Sequence, residues 1–448
     1  MKALKTVIRM LPVLSLGAAW AAVPAESPYS TPQSPFYGQV RPRTEFDGRS
    51  LADTSTRKNL FYTLLRTRIG FVAVPSPAVE VKVEMQDSRF FGQEPATGAN
   101  PASATIGNFE HVDLLQGYAA VEIGDFKTAL GRQKMQLGAG RFLSTLEWNN
   151  VSRAFDGLSA NMKFFGGAGN LTGVSFLVKD TNTVWTRDHD VLSGLYYSHA
   201  ITSDIGAEAY VFYDQSRLPQ VYSAASSLNH DLVYYGERTF GKLGIFAWDE
   251  AFIWQGGEFT APSGKTFDSK AWQLGTRAGV VLGGNYKLNA GLDIMSGEDT
   301  TDNETQLYRA NFYFGHALYG WMDYLDINPK FGLMDWRIDA DIALFPNAAG
   351  SPRVTLKPQY HYFTPQSAPS GLDDPYGQEI DFEAHLAFFP KSNIVLGAGL
   401  FFPGDGAYLM PGAGAPGASP INQPNTRLTA RSATENGVYL YFMPVFNF

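Results

Sequence analysis

The chain has no cysteine among its 448 residues, which excludes disulfide frameworks, thiolate metal centres and cysteine nucleophiles. Its seven histidines show no H-E-x-x-H or comparable ligand spacing, and no G-x-S-x-G or glycine-rich phosphate loop falls on a strand-to-helix turn. No catalytic residue, metal ligand or cofactor site is therefore nominated. The acidic pairs Glu298-Asp299 and Asp373-Asp374 sit in loop sequence, where such charge is ordinarily solvated. Basic charge is also in short supply: the formal net charge of -8 argues against a nucleic-acid partner. Beyond the N-terminus no segment reaches the roughly 18 consecutive apolar residues of a transmembrane helix. Helical periodicity of useful length is missing too.

What is present begins with a leader. Lys2, Lys5 and Arg9 precede a short apolar core, and Ala19-Trp20-Ala21 forms an A-x-A cleavage signal. These features predict a secretory signal peptide over residues 1–21, with cleavage as late as residue 25. Sec-dependent export then leaves a soluble periplasmic protein, a secreted protein or an outer-membrane barrel. Aromatic residues make up 14% of the chain, a surplus that suits two interfacial girdles better than a soluble core. The mean hydropathy of -0.15 fits strands with one wet face.

Period-two alternation supports the barrel. Leu65, Thr67, Ile69 and Phe71 alternate with Arg66, Arg68 and Gly70, and Val81, Val83 and Met85 with Lys82, Glu84 and Gln86. Trp336, Ile338, Ala340 and Ile342 alternate with Arg337, Asp339 and Asp341. Glu379, Asp381, Glu383 and His385 alternate with Ile380, Phe382 and Ala384. Carboxylates at every second position cannot face a packed apolar core without partners, so they face water or one another. At the end of the chain, Val438, Leu440, Phe442, Pro444, Phe446 and Phe448 share one face, and Tyr439, Tyr441, Met443, Val445 and Asn447 the other. This is the pattern of a closing barrel strand, and it is expected to pair with a first strand beginning at Phe36. Pro444 lacks a ladder donor, so that pairing should be bulged or incomplete.

Short turns, among them Pro75-Ser76-Pro77, Gly124-Asp125, Gly166-Gly167-Ala168 and Gly241-Lys242, alternate with long links such as 134–151 and 296–334. The fold expected is all-β: one transmembrane antiparallel β-barrel over residues 36–448, of about 18 strands, with short periplasmic turns and long extracellular loops. Residues 307–332 are read as one large outer loop, and the proline- and glycine-rich run 411–424 as another loop.

Basic residues recur at inward positions. Arg41 and Arg43 share a face with Glu45, Arg66 and Arg68 share a face on the next strand, and Lys82 sits beside Glu84. Rows of arginine and lysine favour anions in a pore. Neutralising ladders of both signs are the ordinary lining of any wet barrel, so the count by itself leaves the cargo open.

An ordered series of short motifs adds to this. Arg43-x-Glu45, Leu65-Arg-Thr-Arg-Ile-Gly70, Gln86-Asp-Ser-Arg-Phe90 and Gly131-Arg-Gln133 come first. Trp148 with Arg153-Ala-Phe-Asp-Gly157, Gly315-His316 with Gly320 and Asp323, Tyr360-His-Tyr-Phe363 and Glu379-Ile-Asp381 follow. In this order they resemble the alginate export family of outer-membrane barrels over most of the chain past the leader. The resemblance implies an eighteen-stranded channel through which an anionic polysaccharide leaves the periplasm passively. On matched motifs, Arg43, Arg66, Arg68, Arg132 and Arg153 would be the lining cations. Asp156 would be a counter-charge or structural partner; Glu45, Glu84, Asp339 and Asp381 are the other counter-charges expected in the pore. Strict alternation groups Arg132 with Thr128 and Leu130, so a bulge or strand end must turn it inward, or it lies at the rim. Lys134 stands where a second arginine would reinforce an anion path.

The function expected is an outer-membrane channel for an anionic exopolysaccharide or sugar acid, embedded in lipid and served by a periplasmic scaffold protein. A porin for small solutes and a plugged receptor or structural barrel are the alternatives. Blockade by a polyuronate separates the first two.

Overall fold

The computed structural model describes residues 35–49, 51, 59–91, 110–180, 189–217, 229–260, 264–283, 285–298, 304–309, 311–325, 328–346, 352–410 and 435–448. The expected signal peptide, Asp299 and the 411–424 run lie outside the described residues. Among the described residues, nineteen strands form one sheet. They are β1 (Phe36–Gly48), β2 (Leu60–Ser76), β3 (Val79–Phe90), β4 (Glu110–Ile123), β5 (Phe126–Gln133), β6 (Phe155–Phe164) and β7 (Gly169–Asp180). Then come β8 (His189–Ala200), β9 (Ile205–Ser216), β10 (Asn229–Leu243), β11 (Phe246–Thr260), β12 (Thr266–Leu282) and β13 (Tyr286–Met295). The two-residue β14 (Glu304–Thr305), β15 (Leu333–Pro346), β16 (Pro352–Thr364), β17 (Gly377–Phe389), β18 (Ser392–Pro403) and β19 (Gly437–Asn447) complete the set.

Each long strand pairs antiparallel with its chain neighbour, and β1 pairs with both β2 and β19, so the sheet closes. β14 lies outside this pattern: it runs parallel to β12, while β13 pairs directly with β15. The result is an 18-stranded antiparallel barrel, as expected. The turn expected at Gly241-Lys242 falls later. β10 continues to Leu243, and Gly244 turns the chain with φ +61.

The seam carries the expected defect in an unexpected form. Register is the same on both sides, Val40 facing Phe446 and Thr44 facing Phe442. Between them three ladder positions are missing. That register sets Pro42 opposite Pro444, so neither strand offers an amide at the centre of the gap. The defect is a gap in the ladder without a bulge.

Alternation sorts the side chains as the sequence predicts. Leu440, Phe442, Trp336, Ile338 and Ile380 face outward and are exposed, while Tyr439, Arg337, Asp339 and Asp381 face inward and are buried. Phe36, Phe165, Phe246, Phe345, Phe389 and Phe448 are exposed at the short-turn end and form an aromatic girdle there. The buried apolar cluster lies on the lumen side. There Phe142, Leu143, Phe312, Leu318, Tyr319 and Met322 from two loops pack against wall residues such as Phe176, Phe212, Tyr234 and Phe401. Residues 134–154, 306–309, 311–325 and 328–332 therefore fold into the barrel, where the sequence suggested outer loops.

Candidate functional site

The site begins with two adjacent strands. β1 presents Arg41, Arg43, Glu45 and Asp47 to the lumen because those positions share one parity, and β2 presents Arg66 and Arg68 in the same way. Arg41 lies directly opposite Arg66 in the ladder. The four guanidiniums are thus packed side by side on one wall, each buried.

The inward segment 134–154 lies across this wall. Arg41 donates to the carbonyls of Glu147 at 2.7 Å, Trp148 at 3.1 Å and Asn149 at 3.0 Å. Arg43 donates to the Trp148 carbonyl at 2.6 Å and pairs with Glu45 at 2.5 Å. Arg66 reaches the carbonyls of Glu147 and Asn149 at 2.9 and 3.1 Å. The Glu147 carboxylate pairs with Arg68 at 2.8 Å, with Lys134 at 3.1 Å and with Arg66 at 3.3 Å. Burial disfavours the ionised form of Glu147, but the charges of Arg68, Lys134 and Arg66 outweigh it and hold this carboxyl well below the usual carboxylate range.

Trp148 ties the segment to the second loop. Its ring stacks on His316 at 3.9 Å between centroids and 8° between planes. The Arg43 guanidinium carbon lies 4.1 Å from the same centroid. Two groups so close to one ring centre must occupy opposite faces, so Trp148 is sandwiched between wall and loop. His316 in turn bonds Asp323 through Nδ1 at 2.8 Å, and Asp323 lies 3.4 Å from Arg49.

The stretch of wall reached from β1 through β19 and β18 has the opposite sign. β15, β16 and β17 bring together Asp335, Glu379, Asp381 and Glu383, all buried. Here the 306–332 loop offers amides: Met322 N–H donates to Glu379 at 2.9 Å and Trp321 N–H to Asp381 at 3.1 Å. His361 sits on Asp335 at 2.9 Å, and His385 on Glu383 at 2.7 Å.

The residues nominated from sequence distribute as follows. Arg43, Arg66, Arg68 and Glu45 come together on the cationic wall, with their charged groups covered by the 134–154 segment instead of lining open water. Glu84 faces the lumen on β3 and accepts from Gln116 at 2.5 Å. Asp339 accepts from Arg277 Nε at 3.0 Å and from Asn289 at 2.8 Å. Asp381 belongs to the acidic wall.

Arg132 and Asp156 depart from the expectation of a pore lining. They pair with each other at 2.6 Å, partly exposed, on the outward face. Leu130 and Leu158 point the same way from the same strands. The strand keeps its alternation, so nothing turns Arg132 inward, and it lies at the long-loop rim. The neighbouring Gly131 and Gly157 face each other across the ladder with φ of +132 and +156. A Cβ on Gly131 would come within 2.2 Å of the Gly117 carbonyl oxygen. The two motifs that contain these residues therefore build the β5–β6 junction. Arg153 is spent on structure as well. It donates to the Ser144 carbonyl at 3.3 Å and to the carbonyls of Phe312 and Asn311, pinning the two inward loops together.

Sequence reasoning missed Glu147 as the partner of the arginines and left Arg41 out of the nominated set. The available signal was Glu147 beside Trp148, an acidic and an aromatic residue adjacent within a long link.

Among solved structures the chain is similar to a BenF-like porin from Pseudomonas fluorescens Pf-5, with a TM-score of 0.60 at 10% identity over 92% of this chain and 97% of that one. It is similar to OccAB1 from Acinetobacter baumannii, with a TM-score of 0.59 at 11% identity over 92% and 96% of the two chains. OpdK from Pseudomonas aeruginosa, in a structure with vanillate, gives a TM-score of 0.54 at 10% identity over 92% and 98%. At such identities the likeness shows the barrel fold. No curated protein sequence matches. The family model described as alginate export matches residues 33–412, through both inward loops and the cationic wall, and the chain belongs to the alginate export family of outer-membrane channels.

Proposed function

We propose that this outer-membrane channel passes a carboxylated saccharide, either an anionic exopolysaccharide or a sugar acid, down its concentration gradient. The observation that carries the reading is the cationic wall. Arg41, Arg43, Arg66, Arg68 and Lys134 converge around two carboxylates, Glu45 and Glu147, which leaves an excess of positive charge inside the lumen. Guanidinium groups match carboxylates in shape and charge, and several weak contacts in a row let an anion keep moving. The acidic wall two strands away limits trapping. A periplasmic scaffold that delivers polymer and a leader cleaved near residue 21 complete the proposal, which involves transport without a chemical step.

A porin for small carboxylates is the second reading. It is favoured by the inward loops, whose carbonyls occupy the arginines. Planar-bilayer recording with polygalacturonate and with galacturonate monomer separates the two. For polymer passage, polygalacturonate interrupts the current in voltage-dependent events whose duration grows with chain length. Interruption by the monomer alone, with the polymer inert, transfers the assignment to small solutes. Indifference to both overturns the carboxylate reading.

A further inference from the structure

The cationic wall already holds a ligand, and that ligand is the chain itself. Arg41 is 3% exposed, and among the described residues no carboxylate lies within ion-pairing distance of it. Its Nε has no hydrogen-bond partner among the described residues, and its terminal nitrogens rest on three uncharged carbonyl oxygens. A carbonyl is a weaker acceptor for a guanidinium than a carboxylate is. Burying a cation without a counter-charge is unfavourable, and three like-charged neighbours add to that. Residues 147–149 therefore satisfy this wall incompletely. They supply one carboxylate, Glu147, and that group is spread over Arg66, Arg68 and Lys134.

We propose that residues 147–149 act as an internal competing ligand, which an entering carboxylate displaces from Arg41 and its neighbours. This rests on the anion-channel reading above and adds the element that regulates it. The incoming carboxylate takes the place of the Trp148 and Asn149 carbonyls on Arg41, and of Glu147 on Arg66 and Arg68. The segment then lifts from the wall. Trp148 leaves its position between Arg43 and His316, which frees the 306–332 loop from the same anchor. The channel is opened by its own cargo and stays narrow to solutes that lack a carboxylate.

The absence of cysteine makes the test clean, because an introduced thiol is the sole one in the chain. Asn150 is fully buried beneath the segment, its carbonyl accepting from Ser88 Oγ at 2.8 Å. In the full-length N150C channel, reconstituted in vesicles, sodium galacturonate should accelerate labelling by a membrane-impermeant maleimide in a saturable manner. Sodium chloride and neutral galactose should not. Adding Glu147→Gln should lower the half-maximal galacturonate concentration by about tenfold, since a weaker internal ligand leaves the competent state more populated. A double-cysteine variant keeps the idea falsifiable if either of these folds poorly. In S88C/N150C, copper phenanthroline with oxygen oxidises the two thiols to a disulfide that pins the segment to β3, and dithiothreitol reduces it again. The oxidised channel should lose its response to galacturonate and recover it on reduction.

Labelling indifferent to galacturonate, or an oxidised channel that responds like the reduced one, overturns the internal-ligand proposal. Either result alongside a measured anion preference leaves the channel reading standing. A wild-type channel with no anion preference removes the reading beneath it.

Discussion

The two charged walls of the lumen look alike in sequence and are handled in opposite ways. On β1 and β2 the arginines meet backbone carbonyls and one carboxylate from the 134–154 segment. On β15 to β17 the carboxylates meet backbone amides and histidines, the amides coming from the 306–332 loop. Each loop turns toward its wall the backbone pole of complementary sign. The difference lies in what remains. Among the described residues Glu379 Oε2 and Asp381 Oδ1 lack hydrogen-bond partners, but these two acids sit on one strand, next to His361 and against the loop amides. On the arginine wall, Arg41 rests on uncharged carbonyls alone. An inward loop thus covers a charged wall with the backbone acceptors or donors that match its sign.

Cutting the tie between the walls should perturb the protein most. Arg49 holds Asp47 at 2.7 Å and Asp323 at 3.4 Å, and its guanidinium lies over the Tyr439 ring. Arg49→Ala removes the cation from buried Asp47 and leaves Asp323 with His316 alone, and breaking such a buried pair costs about 3–5 kcal/mol. The heat-modifiability transition on gels should fall markedly. A transition unchanged from wild type would mean that the 306–332 loop is held by its wall contacts alone.

A middle-sized effect concerns pH and separates the walls further. The lowered pKa of Glu147 means that its ion pairs stabilise the closed segment fully above the unfolded carboxyl value of about 4.3. That contribution is lost only as pH falls through the lower folded value. Closed-state occupancy in bilayer recordings should therefore be flat from pH 8 down to about 5 and should drop in stronger acid. A midpoint near neutral pH would contradict control by Glu147.

The outward pair should matter least. Arg132→Ala removes a partly exposed ion pair, which is worth about 1 kcal/mol or less. Ion selectivity should not change. A loss of anion preference in this variant would put Arg132 back in the pore and contradict the face assignment.

The barrel was legible because lipid and water impose period two on every strand. Trp336, Ile338 and Ile380 declare one face, and Arg337, Asp339 and Asp381 the other. The same alternation put Arg43, Arg66 and Arg68 in the lumen and left Arg132 beside Leu130. The motif resemblance pulled Arg132 and Asp156 toward the pore, yet the pair and its flanking glycines serve the β5–β6 junction. The inward loops could not be read. Their placement depends on contacts between residues remote in sequence, such as Trp148 with His316 and Arg153 with the Phe312 carbonyl, and neither has a local period. Pro444 signalled a weak seam, but only the register revealed Pro42 opposite it.

Whether the β1–β2 wall is the anion path is decided by the reversal potential across a bilayer with a potassium chloride gradient, comparing wild type with the R66A/R68A double variant. The wild-type channel should give the sign of an anion-preferring pore, and the double variant should move toward zero or past it. A cation-preferring wild type, or a double variant with the wild-type potential, would contradict the assignment of that wall.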